Sequence, residues 1–250
     1  MHAKLMPQMS PDLLVVNAAR NSFGKESWYA TADYIPTRHS RHYEAWCDYR
    51  DQCQVTGEPF LTLEDYGLIR YLAEHNHWTP FGHPHVSLQM SAPVPIRTQC
   101  FKHKAGFVEN EESRRYISNR PVLYVPDVFR KAPEGSVKQG SGGVHSSTVE
   151  WRRIYETRCH EMIDLYEAMI ADGVAPEQAR FALPQGVEVR WTWTGSLMAY
   201  ARFAMQRMDP HAQQEIEFLA RQVHTLLKVL APVSWSALVT IKQPQRELLI

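Results

Sequence analysis

KHKAGFVENEESRRY, residues 102–116, crowds opposed charges into fifteen positions. Lys102, Lys104, Arg114 and Arg115 stand among Glu109, Glu111 and Glu112, with His103 and Ser113 between them, and little besides Ala105, Phe107 and Val108 is there to be buried. The whole chain carries no charge excess, with Lys plus Arg and Asp plus Glu at 27 each. A general nucleic-acid surface is usually net basic, so none is expected here. Any anion site has to be a local cluster.

The residues leading into this stretch give it a shape. HVSLQMSA (85–92) alternates, with Val86, Leu88, Met90 and Ala92 on one face and Ser87, Gln89 and Ser91 on the other, which reads as a half-buried strand. PIRTQCFKHK follows, and Pro95 suits a first helical turn. Ile96, Cys100 and Phe101 would share one helix face, and Gln99, Lys102 and His103 another. A helix ending near Lys104 and a loop through Gly106 would then bring two groups together. Gln99, Lys102, His103 and Lys104 would come from one side, and Glu111, Ser113, Arg114 and Arg115 from the other. Paired arginines hold phosphate in a forked geometry, a serine hydroxyl adds a donor, and a carboxylate accepts from a ribose hydroxyl or a base N–H. The composition suits an anionic nucleotide. The alternative is an ion-paired, solvated loop.

Further out, DLLVVNAARNSF (12–23) reads as a short buried strand leading into a turn or helix start. Residues 28–61, rich in Tyr, Arg and His, carry no clear period. Thr62 and Asp65 cap a helix expected over 63–75. Residues 131–148, rich in Gly and Ser, read as a mobile loop and candidate lid. VEWRRIYETRCHEMIDLYEAMIADG reads as a long amphipathic helix closed by Gly173, Pro176 opens a short helix, and VEVRWTW (187–193) alternates like a strand. The strongest helix signal runs through Ile216, Leu219, Ala220, Val223, Leu226, Leu227 and Leu230, with Asp209 expected as its cap and Pro210 at its first position. With 44% hydrophobic and 22% charged residues, no internal repeat and no linker, the chain is expected to form one α+β domain over 1–250.

Other chemistries are less supported. His75, His77, His83 and His85 are a candidate metal cluster, but neither Glu74 nor Asp65 stands at a familiar metal-motif spacing, and no metal is expected. The four cysteines, Cys47, Cys53, Cys100 and Cys159, form no CxxC pair, and Cys100 reads as core rather than nucleophile. No G-x-G-x-x-G or P-loop occurs. No signal peptide and no apolar run long enough to span a bilayer is present, so no membrane association is expected and a cytoplasmic location is. Arg180, Arg202 and Arg207 are each unremarkable alone, and Glu177 and Arg180 read as an i, i+3 pair.

Together these clusters resemble the flavin-dependent thymidylate synthases. That family's signature is Arg-His-Arg, a seven-residue spacer and Ser, within a pattern ending Asn-Glu-x-Ser-x-Arg-Tyr. Here Lys102-His103-Lys104 precedes Asn110-Glu111-Glu112-Ser113-Arg114-Arg115-Tyr116. AARNSF (18–23), HWTPFGH (77–83), PEQARFALP (176–184) and RMDPHAQQEI (207–216) are similar to the family's other blocks, in the family's order. Residues 28–61 and 117–150 stand outside the resemblance.

The resemblance implies a small antiparallel sheet flanked by long helices, and a homotetramer whose sites lie between subunits. It implies conversion of dUMP to dTMP, with FAD as cofactor, NADPH as reductant and methylenetetrahydrofolate as carbon donor. Gln99, Lys102, Glu111, Ser113, Arg114, Arg115 and Arg180 would hold the nucleotide. Arg207 would face the uracil ring and, with His103, belong to the catalytic group. Ser22, His77, Thr79, Lys102, His103, Lys104, Glu111, Ser196 and Arg202 would contact flavin.

Three departures bear on this. Both signature arginines are lysines, which keep the charge but lose the planar fork. The spacer has eight residues, Ala105 to Glu112. WTGSLMAYARFAMQR puts Ser196, Met198 and Arg202 where the family usually has asparagines and an arginine. Two alternatives follow: a related enzyme that methylates UMP or hydroxymethylates a uridine monophosphate, and a nucleotide-binding protein without catalysis.

Overall fold

The computed structural model describes residues 1–5, 11–31, 33–117, 119–133 and 140–240. Its centre is a four-stranded antiparallel sheet of β1 (His2–Leu5), β2 (His85–Pro93), β3 (Phe107–Glu111) and β4 (Glu188–Ser196), in the order β1-β2-β4-β3. The alternation read in the sequence sets the faces of the central pair. Leu88 lies opposite Trp193 and Met90 opposite Trp191, all four buried. On the other face the Ser87 and Thr194 hydroxyls lie 2.8 Å apart.

Ten helices accompany the sheet in the described residues. They are α1 (Pro11–Arg20), α2 (Tyr43–Thr56), α3 (Leu63–Glu74), α4 (Thr79–Gly82), α5 (Val94–Cys100), α6 (Thr148–Ala171), α7 (Pro176–Ala179), α8 (Leu197–Arg207), α9 (Gln214–Leu230) and α10 (Pro232–Leu238). The core gathers the buried face of the sheet with α8, α9, α3 and α10. Among the described residues no helix is long and apolar enough to cross a membrane.

Three expectations are corrected. The run 12–23 is α1 followed by a 3-10 turn, Asn21–Phe23, and not a strand. Its apolar run is short enough to fit either period. Helix is favoured by Pro11 in the first turn and by Asp12, whose buried carboxylate accepts from the backbone N–H of Val233 (3.0 Å) and Ser234 (2.9 Å) and so caps α10. Helix α9 begins at Gln214, one turn later than expected, because Asp209 closes a separate turn on the His211 N–H (3.0 Å). Helix α5 stops at Cys100, before Lys102 and His103.

Residues 28–61, unreadable by period, fold around Trp46. Its indole N–H donates to the Leu61 carbonyl (2.9 Å), and its ring meets Tyr34, Tyr43 and Phe60. Helix α2 buries only Trp46 and Cys53, too few to give a helical stripe. The lid expected over 131–148 falls partly outside the described residues. Its described flanks pair as a hairpin, with Lys131 N–H donating to Gly143 O (2.8 Å) and His145 N–H to Phe129 O (2.8 Å).

Candidate active site

Helix α8 positions the site. Ser196 caps it, accepting from the Ala199 N–H (3.2 Å), and the buried Tyr200 hydroxyl donates to the Trp193 carbonyl (2.6 Å). Phe203 meets the Trp193 ring edge-on, with centroids 5.0 Å apart. These contacts fix the rotation of α8 over β4, so that Arg207 in its last turn emerges beside the end of α5.

There Arg207 is held by three acceptors. Nε donates to His103 Nε2 (3.0 Å), Nη1 to Gln99 Oε1 (3.4 Å) and Nη2 to the Gln99 carbonyl (3.4 Å). A guanidinium has five N–H bonds. One on each of Nη1 and Nη2 therefore remains for a ligand. His103 Nε2 accepts, so the ring proton sits on Nδ1. Burial, reinforced by the Arg207 charge, pulls the His103 pKa down to about 4. At neutral pH the imidazole is uncharged and the contact to Arg207 persists.

The second limb is β3. Phe107 stacks on Trp193 with centroids 4.0 Å apart, a fit that Gly195 permits, since a Cβ there would lie 2.4 Å from Phe107 Cδ1. Gly106, at φ +81°, turns the chain into the strand in a conformation that side-chain-bearing residues rarely adopt. At the far end of β3, Arg97 Nε stands 2.8 Å from Glu111 Oε2, close enough for an ion pair but out of line for a hydrogen bond. Burial raises the Glu111 pKa, Arg97 opposes the rise and Glu112 adds to it.

Beyond β3 the chain turns at Ser113, whose carbonyl accepts from Tyr116 N–H (2.9 Å) and whose hydroxyl accepts from Arg115 N–H (3.3 Å). Arg114 Nη1 donates to the Asn119 carbonyl (2.5 Å), while its Nε is buried with no protein acceptor. Arg115 lies 3.6 Å from the Glu177 carboxylate, and Arg180 Nε donates to the Glu177 carbonyl (3.2 Å). The expected Glu177–Arg180 pair is thus made through the backbone. Arg115 and Arg180, distant in sequence, meet at Glu177.

The remaining expected residues lie toward the start of α8. Ser196 N–H donates to Gly106 O (3.2 Å) and Leu197 N–H to Pro84 O (3.1 Å), joining the approaches to β3, β2 and α8. Lys104 pairs with Glu109 (2.6 Å) over the Phe101 ring. Ser22 is exposed in the turn after α1, which packs on α4, where Thr79 is exposed. His77 lies near Tyr71 and His75, with ring centroids 6.0 and 6.2 Å away. Lys102 and Arg202 are exposed, without an ion-pair partner among the described residues. Ser196 itself is buried with its oxygen committed to the helix cap. Eleven residues of α8 separate the two ends of the site by about 16 Å.

So Gln99, His103 and Arg207 are brought together, as are Arg115 and Arg180. Lys102 is not brought onto the Gln99 face. Arg97, the partner of Glu111, and Gln213, which accepts from Gln99 Nε2 (2.6 Å), were missed by sequence reasoning. Neither has a local sequence signal, because each partner arrives across a tertiary contact. No group of three His, Cys, Asp or Glu side chains able to hold a metal occurs among the described residues.

Residues 4–233 match the family described as thymidylate synthase complementing protein. The flavin-dependent thymidylate synthase of Thermus thermophilus is 31% identical over 184 residues, covering 72% of this chain and 66% of that protein. The one from Thermosipho africanus is 31% identical, covering 70% of this chain and 76% of the relative. Among solved structures, a UMP/dUMP methylase PolB from Streptomyces cacaoi, bound with 5-Br dUMP, superposes with a TM-score of 0.71 at 25% identity, covering 94% of this chain and 93% of that one.

Proposed function

The chain belongs to the family of flavin-dependent thymidylate synthases, and on that premise we propose that it reductively methylates C5 of a uridine monophosphate. The substrate of this reading is dUMP, with methylenetetrahydrofolate as carbon donor and NADPH as reductant. UMP is a second reading, favoured by the likeness to a protein described as acting on both nucleotides. The observation that carries the proposal is Arg207, fixed by His103 and Gln99 with two N–H bonds unspent.

Those N–H bonds are suited to a uracil carbonyl, where negative charge grows as the ring is activated. A donor fixed beforehand stabilises that charge without reorganising. Neutral His103 serves by accepting from Arg207 without opposing its charge. Arg115 and Arg180 converge where a phosphate exchanging with the Glu177 contact would find two guanidiniums. Ser113 and the unpartnered Arg114 Nε stand on the same turn. Gln99 and Glu111 are the neutral and acidic contacts of this nucleotide site, and Lys102 adds charge at its edge.

The donor set fits a flavin dinucleotide. Ser22, Thr79 and His77 offer exposed hydroxyl and imidazole groups, and Lys102 and Arg202 offer cations free of ion pairs among the described residues. Lys104, His103, Glu111 and Ser196 complete the proposed contacts, Ser196 through its hydroxyl proton, since its oxygen caps α8. Bound there, the flavin supplies the hydride that completes the methyl group.

Assembly as a homotetramer is part of the proposal. Helix α6 spans 24 residues yet buries only Cys159, Ile163 and Tyr166, leaving Val149, Trp151, Met162 and Leu165 exposed. Such a face favours association. All four cysteines are free, which fits a reducing compartment.

Reconstitution with FAD, followed by anaerobic addition of NADPH, tests the flavin part. The expected result is a yellow protein that bleaches. A protein that binds dUMP but never takes up FAD would overturn it.

A further inference from the structure

Arg207 is aimed by Gln99, and the orientation of Gln99 is itself fixed from outside the site. The Gln99 amide points its oxygen at Arg207 Nη1 and donates through Nε2 to Gln213 Oε1 (2.6 Å). An amide rotated by half a turn would present its NH2 group to the guanidinium, donor against donor. Gln213 prevents this by offering only an oxygen.

Gln213 is fixed in turn. Its side chain hydrogen-bonds the Glu215 carboxylate one position further along α9. Glu215 is locked by Arg130, whose Nη2 donates to both carboxylate oxygens at 2.7 Å, and the pair is mostly buried. Arg130 also reaches Gln214 Oε1 (3.0 Å) and Ser141 Oγ (2.7 Å), tying α9 to the hairpin around 130–144. Every link has a defined donor and a defined acceptor, so the polarity of the Arg130–Glu215 pair dictates that of Gln99.

We propose that Gln213 is a positioning residue, which holds the Gln99 amide so that Arg207 keeps its two free N–H bonds directed at the nucleotide. It touches no reacting atom. The inference rests on the proposed role of Arg207 in binding a uridine monophosphate.

Two variants test it in the full-length protein. Gln213→Leu removes the acceptor. Gln213→Glu keeps an acceptor toward Gln99 but sets a second carboxylate against Glu215. The readouts are thermal melting, the dissociation constants of dUMP and UMP, and the Arg207 Nε–H signal in a 1H–15N spectrum, identified by its loss in Arg207→Lys. Gln213→Leu is expected to broaden or lose that signal and to weaken nucleotide binding roughly three- to tenfold, the weight of one hydrogen bond. Gln213→Glu is expected to lower the melting temperature yet retain the signal, and to bind within about twofold of the parent by the same reasoning. A role limited to stability would move melting and signal together. A native signal in Gln213→Leu, or equal loss in both variants, overturns the proposal. If the parent binds neither nucleotide, the proposed function fails, and the Nε–H signal still decides whether Gln213 orients Arg207.

Discussion

Replacing Arg207 by lysine should cost far more activity than stability. The guanidinium gives three N–H bonds to His103 and Gln99 and keeps two for the nucleotide. A lysine ammonium retains the charge, but it is a point donor and cannot reach His103, Gln99 and a planar ligand edge together. One ligand contact survives and the aim provided by Nε is lost. Hydrogen bonds to charged groups are worth about 1.5–3 kcal/mol, and the site is half-buried, so the transition state should lose about 2–4 kcal/mol. That corresponds to roughly a 30- to 1,000-fold fall in kcat/KM for the nucleotide. The assay is steady-state turnover of dUMP and of UMP with FAD, NADPH and methylenetetrahydrofolate, beside a urea unfolding curve for the same variant. Unfolding should shift by no more than about 1 kcal/mol, since every partner of Arg207 remains solvent-accessible. A variant within threefold of the parent in kcat/KM, with an intact fold, would refute the assignment of Arg207 to the uracil ring.

His103 should stay neutral down to about pH 4, whereas unfolded it titrates near 6.5. Protons therefore bind the unfolded chain first as pH falls, so its stabilising share is complete above about 6.5 and is lost between there and 4. Arg207→Leu should raise its pKa only partway toward 6.5, because burial is the larger cause, and NMR titration of the His103 ring proton checks this. Gly195→Ala should destabilise the fold by about 1–3 kcal/mol and weaken nucleotide binding with it, because Phe107 has to leave Trp193; unchanged melting would contradict the packing. Asp12→Ala should cost about 2–4 kcal/mol in urea unfolding, by stranding two buried N–H groups of α10. The paired change Lys102→Arg and Lys104→Arg should tighten FAD about tenfold by restoring two planar forks, and an unchanged dissociation constant would show that lysine already suffices.

What the sequence disclosed depended on how local each signal was. The alternation of 85–92 and 187–193 is set by the pleat alone, and it placed Leu88, Met90, Trp191 and Trp193 in the core. The Thr62 cap was readable because its acceptor and donor are three residues apart (3.2 Å). The identity of α1 was not, because a carboxylate more than two hundred positions from α10 in sequence is part of what favours helix there. Helix α2 was invisible because its burial is concentrated in Trp46. At the site, the charges of 102–116 pointed to an anion, but their geometry required distant partners. Glu177 joins Arg115 to Arg180, Arg97 faces Glu111 across the edge of the sheet, and Gln213 turns the amide of Gln99. The family resemblance supplied residue roles that spacing could not.

The measurement that bears most directly on the central claim is the mass of the nucleotide product. The protein is incubated with FAD, NADPH, methylenetetrahydrofolate and an equimolar mixture of dUMP and UMP. The expected result is one nucleotide heavier by a methyl group, and no such product when FAD is left out. Two unchanged nucleotides, with the protein folded and FAD bound, would contradict the assignment of a methylating enzyme.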